Sequence, residues 1–137
     1  MRVLIIGTGV IGPNLAADLF SSGRDVTLLA RGEWAETQEN NGLVIDPIFS
    51  PGKKTYRIPV IRELKEDDVF DVIFVVMRYT QLESVIPMLL ANGSKDIVFV
   101  GNNLSPEELA EKLPGQNVLF GFSMAAGHRE KDRGVSI

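Results

Sequence analysis

The stretch that decides the fold is Arg2-Val3-Leu4-Ile5-Ile6-Gly7-Thr8-Gly9-Val10-Ile11-Gly12, followed by Pro13-Asn14-Leu15-Ala16-Ala17-Asp18-Leu19-Phe20. An apolar run ends in glycines spaced G-x-G-x-x-G, and a helical pattern begins at once, which is the context that a dinucleotide-binding loop requires. The first glycine permits the tight turn, the second lets the backbone approach a pyrophosphate, and the third lets the helix pack on the strand. The alternative is a glycine-rich turn that binds nothing, and the flanking pattern favours nucleotide binding.

The segments after this loop predict a sheet of parallel strands. Residues 25–30 form a second apolar run, so strand, helix and strand together make one right-handed βαβ unit. Further apolar runs at residues 72–76, 96–100 and 118–122 are separated by helical or polar segments. We therefore expect an α/β fold: a Rossmann-type, doubly wound, mostly parallel sheet flanked by helices in three layers. The length of 137 residues suits one such domain, over residues 1–137.

Local patterns predict further details of the fold. Residues 43–46 and 55–60 are expected to pair as a hairpin, and a single helix is expected to carry Leu82, Val85, Ile86, Leu89 and Leu90. Ser105 and Glu108 have the spacing of a capping box, with Pro106 at the first helical position. Residues 128–134 are polar and turn-like, and residues 135–137 begin a strand whose open edge would favour pairing between copies.

Composition excludes several classes of function. The net charge of −4 gives no indication of nucleic-acid or anionic-membrane binding. The chain has no cysteine and one histidine, His128, so a metal site is not expected. No apolar run approaches the roughly 18 residues of a membrane span, and the N-terminus does not read as a signal peptide. We expect a cytoplasmic protein that contacts neither nucleic acid nor membrane.

The residue after the second strand is the most specific indicator of the cofactor. An NAD-selective site has an acidic residue there, which hydrogen-bonds the ribose 2′-hydroxyl, whereas this chain has Arg31, with Glu33 as the first acid. An arginine can grip the 2′-phosphate of NADP bidentately. The sequence thus favours NADP(H), although a solvated loop arginine is the alternative. Trp34, close by, either flanks an adenine ring or packs under the loop.

Two polar residues follow later strands at the edge where ligands of open α/β sheets bind. Arg78 comes after the apolar run 72–76, and Asn102 comes after the run 96–100. We expect Arg78 to face a ligand and Asn102 to hydrogen-bond cofactor or substrate. The alternatives are a solvated charge for Arg78 and an ordinary loop residue for Asn102.

Together these motifs resemble the N-terminal half of the ketopantoate reductase (2-dehydropantoate 2-reductase) family. The resemblance rests on the glycine motif, on Leu-Leu-Ala-Arg at 28–31, Val-Val-Met-Arg at 75–78, Gly-Asn-Asn at 101–103 and Gly-Phe-Ser-Met-Ala-Ala-Gly-His-Arg at 121–129. It implies NADPH-dependent reduction of a 2-keto acid, ketopantoate to pantoate, in pantothenate biosynthesis. It also implies a set of cofactor contacts, namely Gly7, Thr8, Gly9, Val10, Ile11, Gly12, Arg31, Met77, Arg78, Asn102 and Gly127, with Asn102 also meeting the substrate.

The sequence departs from the family pattern at three points. Arg78 stands where the family usually has lysine, and Asn103 stands where it has glycine. The third departure is that the helical C-terminal domain, which holds the family's catalytic lysine, is not expected within these 137 residues. The resemblance therefore implies no catalytic residue in this chain, which alone is expected to bind NADPH without turnover. Two alternatives remain open: a reductase of the 6-phosphogluconate-dehydrogenase type, and a stand-alone nucleotide sensor. A homodimer is a further expectation.

Overall fold

The computed structural model describes residues 1–103, 105–130 and 134–136, the last three by their backbone alone. Within these residues the strands are β1 (Arg2–Ile6), β2 (Asp25–Leu29), β3 (Leu43–Pro47), β4 (Lys54–Tyr56), β5 (Val60–Ile61), β6 (Val72–Val75), β7 (Asp96–Val100), β8 (Asn117–Gly121), β9 (Gly127–Arg129) and β10 (Gly134–Ser136). The α-helices are α1 (Ile11–Ser21), α2 (Gly32–Asn41), α3 (Ile86–Ala91) and α4 (Pro106–Glu111), and a 3-10 helix, Tyr79–Ser84, precedes α3.

The main sheet has six strands in the order β5-β2-β1-β6-β7-β8. Every neighbouring pair in it is parallel. The strand order reverses between β1 and β6, which is the point where open α/β sheets bind ligands, beyond the carboxyl ends of the strands. The predicted doubly wound, Rossmann-type α/β fold is confirmed.

The sheet separates two apolar cores. Leu4 and Ile6 of β1 belong to one buried cluster, and Val3 and Ile5 belong to the other. Because successive side chains of a strand point to opposite faces, the two clusters lie on opposite sides of the sheet. Helices α3 and α4 supply side chains to the first cluster, and α1 supplies side chains to the second. This arrangement gives the three layers that the sequence predicts.

The segment after β6 is not the single helix that the apolar spacing predicts. It forms the 3-10 helix Tyr79–Ser84 and then α3, with Pro87 in the first turn of α3. Proline has no N–H to donate to the carbonyl of residue 83, and its ring clashes with that carbonyl, so an α-helix cannot run through it. Four of the five expected apolar side chains are buried nevertheless, whereas Leu90 is exposed.

The predicted hairpin is correct in its first half and wrong in its second. Strand β4 pairs antiparallel with β3, but the strand expected over residues 55–60 breaks before Val60. Val60 and Ile61 instead form β5, which pairs parallel with β2 at the edge of the main sheet. Pro59 accounts for the break, because proline cannot donate to a strand ladder. Its carbonyl accepts a hydrogen bond from the Leu28 N–H at 2.9 Å, which joins this segment to β2.

A second, four-stranded sheet has the order β4-β3-β10-β9. The turn-like interpretation of residues 128–134 is wrong for His128 and Arg129, which belong to β9, and for Gly134, which begins β10. Residues 131–133 lie outside the described residues. The strand expected at 135–137 exists as β10, although residue 137 is again outside the described part. Because β10 has hydrogen-bonded neighbours on both sides, the open edge expected there is absent from residues 134–136.

Helix α4 begins as expected but without the capping box. Ser105 is the N-cap and Pro106 the first helical residue, yet the serine side chain makes no capping hydrogen bond. Its ψ of 72° lies outside the β-region that a side-chain N-cap normally adopts. None of the helices in the described ranges is long and apolar enough to cross a membrane.

Candidate functional site

The glycine loop between β1 and α1 has a different steric requirement at each of its three glycines. Gly7 has a φ of 118°, and a Cβ atom there would lie 2.0 Å from the carbonyl oxygen of Val76. A Cβ atom on Gly12 would lie 2.2 Å from the carbonyl oxygen of Gly7. A Cβ atom on Gly9 would have no atom within 4 Å. The fold therefore demands glycine at the first and third positions, whereas Gly9 leaves the backbone open to an approaching ligand.

The ends of three neighbouring strands meet at this loop. The Val76 N–H donates to the carbonyl of Ile6 at 2.7 Å, which aligns the end of β6 with the start of the loop. Met77 Cγ lies 3.4 Å from the position that a Cβ atom on Gly7 would take. The Met77 carbonyl oxygen lies 3.5 Å from the position that a Cβ atom on Gly101 would take. The structure thus brings the glycine loop, Met77 and the end of β7 together at the switch point of the sheet.

Arg78 and Asn102 extend from these strand ends into solvent. Arg78 directly follows Met77, and Asn102 directly follows Gly101; both side chains are exposed. The neighbouring Asn103 is tied down, since its side-chain amide donates to the Gly101 carbonyl at 3.3 Å. Both predicted residues therefore lie at the ligand-binding edge, on either side of the Met77–Gly101 contact.

Arg31 is the N-cap residue of α2 and follows the end of β2. Its side chain is exposed, and Glu33 is the one acidic residue in the first turn of that helix. The Ala30 N–H donates to the carbonyl of Ile61 at 3.0 Å, so the backbone before Arg31 is held in the main sheet. Of the ion pairs formed within residues 1–103 and 105–130, none involves Arg31.

Helix α2 is anchored to the sheet edge by a bidentate ion pair. The Arg62 Nε and Nη2 atoms donate to Glu39 Oε1 and Oε2 at 3.1 and 2.9 Å. The hydrogen bonds from Arg62 hold the pKa of the Glu39 carboxyl below its usual value. The Arg57 guanidinium adds a hydrogen bond to the carbonyl of Asn40 at 3.1 Å. These contacts hold the helix that has Arg31 at its N-cap and Trp34 in its first turn.

Arg129 contacts the glycine loop, and sequence reasoning did not predict this contact. Its Nη1 atom donates to the carbonyl oxygen of Thr8, inside the glycine loop, at 2.8 Å. Its Cζ atom lies 4.7 Å from the centroid of the Trp34 ring. One face of the indole is therefore covered, which fits the packing interpretation of Trp34. No local pattern indicates these contacts, because strand β9 reaches the loop from the other end of the chain.

The contact of Arg129 also locates the rest of β9. Gly127 lies two residues earlier on the same strand, and all three residues of β9 are exposed. The structure thus brings β9, the glycine loop and the first turn of α2 into one neighbourhood. Within the described residues no group of three His, Cys, Asp or Glu side chains is arranged to hold a metal ion.

A wide groove at the opposite edge of the sheet has a different character. Met1, Val72, Val118 and Leu119 line it, and its charged side chains are Asp71 and Asp96. This edge holds the amino ends of the strands, whereas ligands of such sheets bind at the carboxyl ends. Its acidic lining is also unsuited to a phosphate.

Comparison with protein families gives one decisive match. Residues 3–137 match the family model described as "Ketopantoate reductase PanE/ApbA". The chain belongs to the ketopantoate reductase family. No significant match to a curated protein sequence accompanies it. Membership in the ketopantoate reductase family decides against the two alternatives, the nucleotide sensor and the reductase of the 6-phosphogluconate-dehydrogenase type.

Solved structures agree with the ketopantoate reductase fold. D-mandelate dehydrogenase with NADH and anilino(oxo)acetate superposes with a TM-score of 0.86 at 22% identity, over 100% of this chain and 46% of that one. The 2-dehydropantoate 2-reductase of Methylococcus capsulatus gives 0.84 at 24% identity, over 100% and 46%. A dimeric ketopantoate reductase of Staphylococcus aureus gives 0.74 at 22%, over 100% and 44%. The chain thus spans about half the length of the structures it matches.

Proposed function

We propose that residues 1–137 are the NADP(H)-binding domain of a reductase that converts a 2-keto acid to a 2-hydroxy acid. Membership in the ketopantoate reductase family makes 2-dehydropantoate the first candidate substrate and pantothenate biosynthesis the corresponding pathway. The single observation that carries the cofactor assignment is the exposed Arg31 at the N-cap of α2, after β2, together with an open glycine loop between β1 and α1.

The residues present fit a dinucleotide with a 2′-phosphate. Gly9 leaves the loop backbone open, so a pyrophosphate can approach the N–H groups of Val10, Ile11 and Gly12 at the start of α1. Arg31 at the end of β2 takes the place that an acid has in NAD-selective sites. A phosphate there would receive charge-assisted hydrogen bonds from the guanidinium, which favours NADP(H) over NAD(H).

The remaining predicted residues have roles toward the nicotinamide end. Met77 packs against the loop, and Arg78, Asn102 and Gly127 are proposed to line the cofactor, with Asn102 also hydrogen-bonding the substrate. The reduced nicotinamide supplies the hydride for the keto carbon. Arg78 offers a fixed positive charge to the substrate carboxylate. We assign no proton donor to this chain, because Arg78 does not deprotonate and Asn102 does not titrate.

A second candidate differs in cofactor and substrate. The D-mandelate dehydrogenase structure contains NADH and anilino(oxo)acetate, an aromatic 2-oxo acid, and has the same fold. A relative of that type would use NADH and an aromatic 2-keto acid. The arginine at position 31 argues for the NADPH alternative, and cofactor preference therefore separates the two candidates.

The assembly and location belong to the same proposal. A dimeric ketopantoate reductase is among the similar structures, and we propose a homodimer for this protein as well. A small-molecule 2-keto acid, and neither nucleic acid nor membrane, is the proposed partner, and the cytoplasm is the proposed compartment.

A fluorescence titration of the single tryptophan tests the cofactor assignment. Trp34 lies next to the site and reports binding of NADPH and, separately, of NADH. We expect the unmodified chain to prefer NADPH by about tenfold or more and the Arg31→Ala variant to lose that preference. Arg24→Ala, on the opposite edge before β2, is the matched control and should keep it. Equal affinity for both cofactors would refute NADP selectivity, and ketopantoate turnover by the 137-residue chain would refute the absence of a proton donor.

A further inference from the structure

Three arginines at the carboxyl edge of the sheet have no acidic partner among the described residues. Arg31, Arg78 and Arg129 are all exposed, and none of them takes part in an ion pair formed within 1–103 and 105–130. The chain as a whole is acidic, with 18 Asp and Glu against 14 Lys and Arg. Exposed arginines that form no ion pair with another described residue favour the binding of anions.

Arg129 connects the glycine loop to the amino end of α2 through its contacts with Thr8 and Trp34. Its guanidinium stacks on Trp34, and Trp34 follows Arg31 by three positions at the start of α2. Arg31 is the N-cap of α2 and Trp34 lies in its first turn, so both residues belong to the same end of the helix. The contact with Trp34 thus holds the cation of Arg129 at the end of α2 where Arg31 lies.

The hydrogen bond to Thr8 leaves most of the guanidinium available. An arginine carries five N–H donors in a planar fork, and Nη1 uses one of them for the Thr8 carbonyl. The contact with the ring of Trp34 uses no further donor. The hydrogen bond and the ring contact together restrain the side chain beside the glycine loop, and its remaining donors stay available for a ligand.

We propose that Arg129 is a second cation for the 2′-phosphate of NADP(H), acting together with Arg31. This inference rests on the proposed cofactor and adds a specificity-determining residue from the small sheet. A phosphate monoester carries about two negative charges near neutral pH, so one guanidinium does not neutralise it. Arg129 meets this need from β9, and Trp34 and Thr8 hold it in position.

The experiment compares two nucleotides that differ only in the 2′-phosphate. Adenosine 2′,5′-bisphosphate and adenosine 5′-monophosphate are titrated calorimetrically into the 137-residue chain, Arg129→Met, Arg129→Lys and the control Arg24→Met. We expect Arg129→Met to bind the bisphosphate about tenfold more weakly and the monophosphate within twofold of the unmodified chain. Arg129→Lys should fall between, since lysine keeps the charge but not the fork. Arg24→Met should match the unmodified chain.

Two outcomes overturn the proposal. If Arg129→Met weakened the binding of both nucleotides equally, Arg129 would only stabilise the glycine loop. If it weakened the binding of neither nucleotide, Arg129 would not belong to the binding site. Neither result touches the cofactor assignment as long as Arg31→Ala still abolishes the preference for NADPH. Conversely, an unmodified chain that binds NADPH and NADH equally would refute the cofactor assignment itself.

A double-mutant comparison keeps the test decisive if Arg129→Met unfolds at a lower temperature. Two cations that hold the same phosphate are coupled, so the loss of NADPH-over-NADH preference in Arg31→Met with Arg129→Met should differ from the product of the single losses. The ratio of the two affinities cancels a general loss of folded protein. Losses that multiply without coupling would contradict a shared phosphate.

Discussion

Gly7 and Val76 approach so closely that a Cβ atom on the glycine would lie 2.0 Å from the valine carbonyl oxygen. This contact joins the ends of β1 and β6, the two strands between which the sheet order reverses. Because the two residues are this close, the glycine loop lies against the residues that follow β6. The position of the candidate site therefore depends on having glycine, the residue without a side chain, at position 7.

Alanine substitutions should separate the structural from the ligand-facing glycines. Gly7→Ala introduces both a clash and a positive φ of 118°, so we expect a loss of about 3 kcal/mol in the free energy of unfolding. Gly9→Ala meets no atom within 4 Å and should unfold like the unmodified chain. It should nevertheless bind NADPH at least tenfold more weakly, because the new methyl group stands where the pyrophosphate approaches.

Urea unfolding and NADPH titration of both variants provide the measurements. Gly9→Ala with unchanged stability and unchanged NADPH affinity would contradict the assignment of this loop to the pyrophosphate. Gly7→Ala with unchanged stability would contradict the contact between the two strand ends.

The sequence is sufficient for five of the six strands of the main sheet, all except β5, because the signals for those five are local. The glycine spacing at 7–12 and the five apolar runs each depend on consecutive residues, and parallel α/β connections admit few topologies. The positions of Arg31, Arg78 and Asn102 at the carboxyl edge are predictable for the same reason, since each lies two or three residues after the end of a strand. Their binding roles stay predictions.

The features that the sequence did not predict depend on distant residues. Arg129 contacts Thr8 across 121 positions, and β10 pairs with β3 from the other end of the chain. No periodicity in the sequence indicates such contacts. The polar residues 128–134 therefore have the pattern of a turn, although His128 and Arg129 form part of a strand. The split at Pro87 was missed for another reason: the apolar spacing continues through the proline while the backbone hydrogen bonds do not.

A side-chain network that joins the segment between α3 and β7 to the segment before β6 should contribute strongly to stability. Asn92 Nδ2 donates to the carbonyls of Lys65 and Asp68 at 2.7 and 2.9 Å, and its Oδ1 accepts from the Ser94 N–H at 2.9 Å. Asn92→Leu removes all three hydrogen bonds and leaves buried backbone groups unpaired. We expect the free energy of unfolding to fall by about 3 kcal/mol, measured by urea denaturation.

Ser94 provides the coupled control for this network. Its hydroxyl accepts a hydrogen bond from the Phe70 N–H at 2.8 Å, so Ser94→Ala should cost about 1 kcal/mol or somewhat more. Because both residues belong to one network, the double variant should lose less than the sum of the two. Strictly additive losses would indicate that the two side chains act independently.

The ion pair that anchors α2 should make stability depend on pH in a defined direction. Hydrogen bonds from Arg62 lower the pKa of Glu39 in the folded chain relative to the usual value of about 4.3. The stabilisation of the folded chain by this ion pair is therefore fully present above about pH 4.3. It is lost as the pH falls through the lower pKa that Glu39 has in the folded chain. The Tm difference between the unmodified chain and Glu39→Gln should be small and constant near neutrality and vanish in stronger acid.

Salt and a distant glutamate control this measurement. Both side chains are exposed, so 0.5 M NaCl should shrink the Tm difference at pH 7. Glu111→Gln, an exposed glutamate at the end of α4, should show no comparable acid-dependent difference. A Tm difference for Glu39→Gln that persists unchanged in strong acid would mean that the pair does not stabilise the folded chain.

Affinity for NADPH should itself depend on pH through the 2′-phosphate rather than through the protein. Arginines stay charged at all accessible pH values, whereas the second proton of a phosphate monoester dissociates near pH 6. Arginines that hold the dianion lower that value in the complex, so NADPH affinity should be constant above about pH 6 and fall below it. NADH affinity, measured in parallel, should change much less. The Arg24→Met variant is the control and should keep the pH profile of the unmodified chain. An NADPH affinity that depends on pH as little as the NADH affinity would contradict a 2′-phosphate held by these arginines.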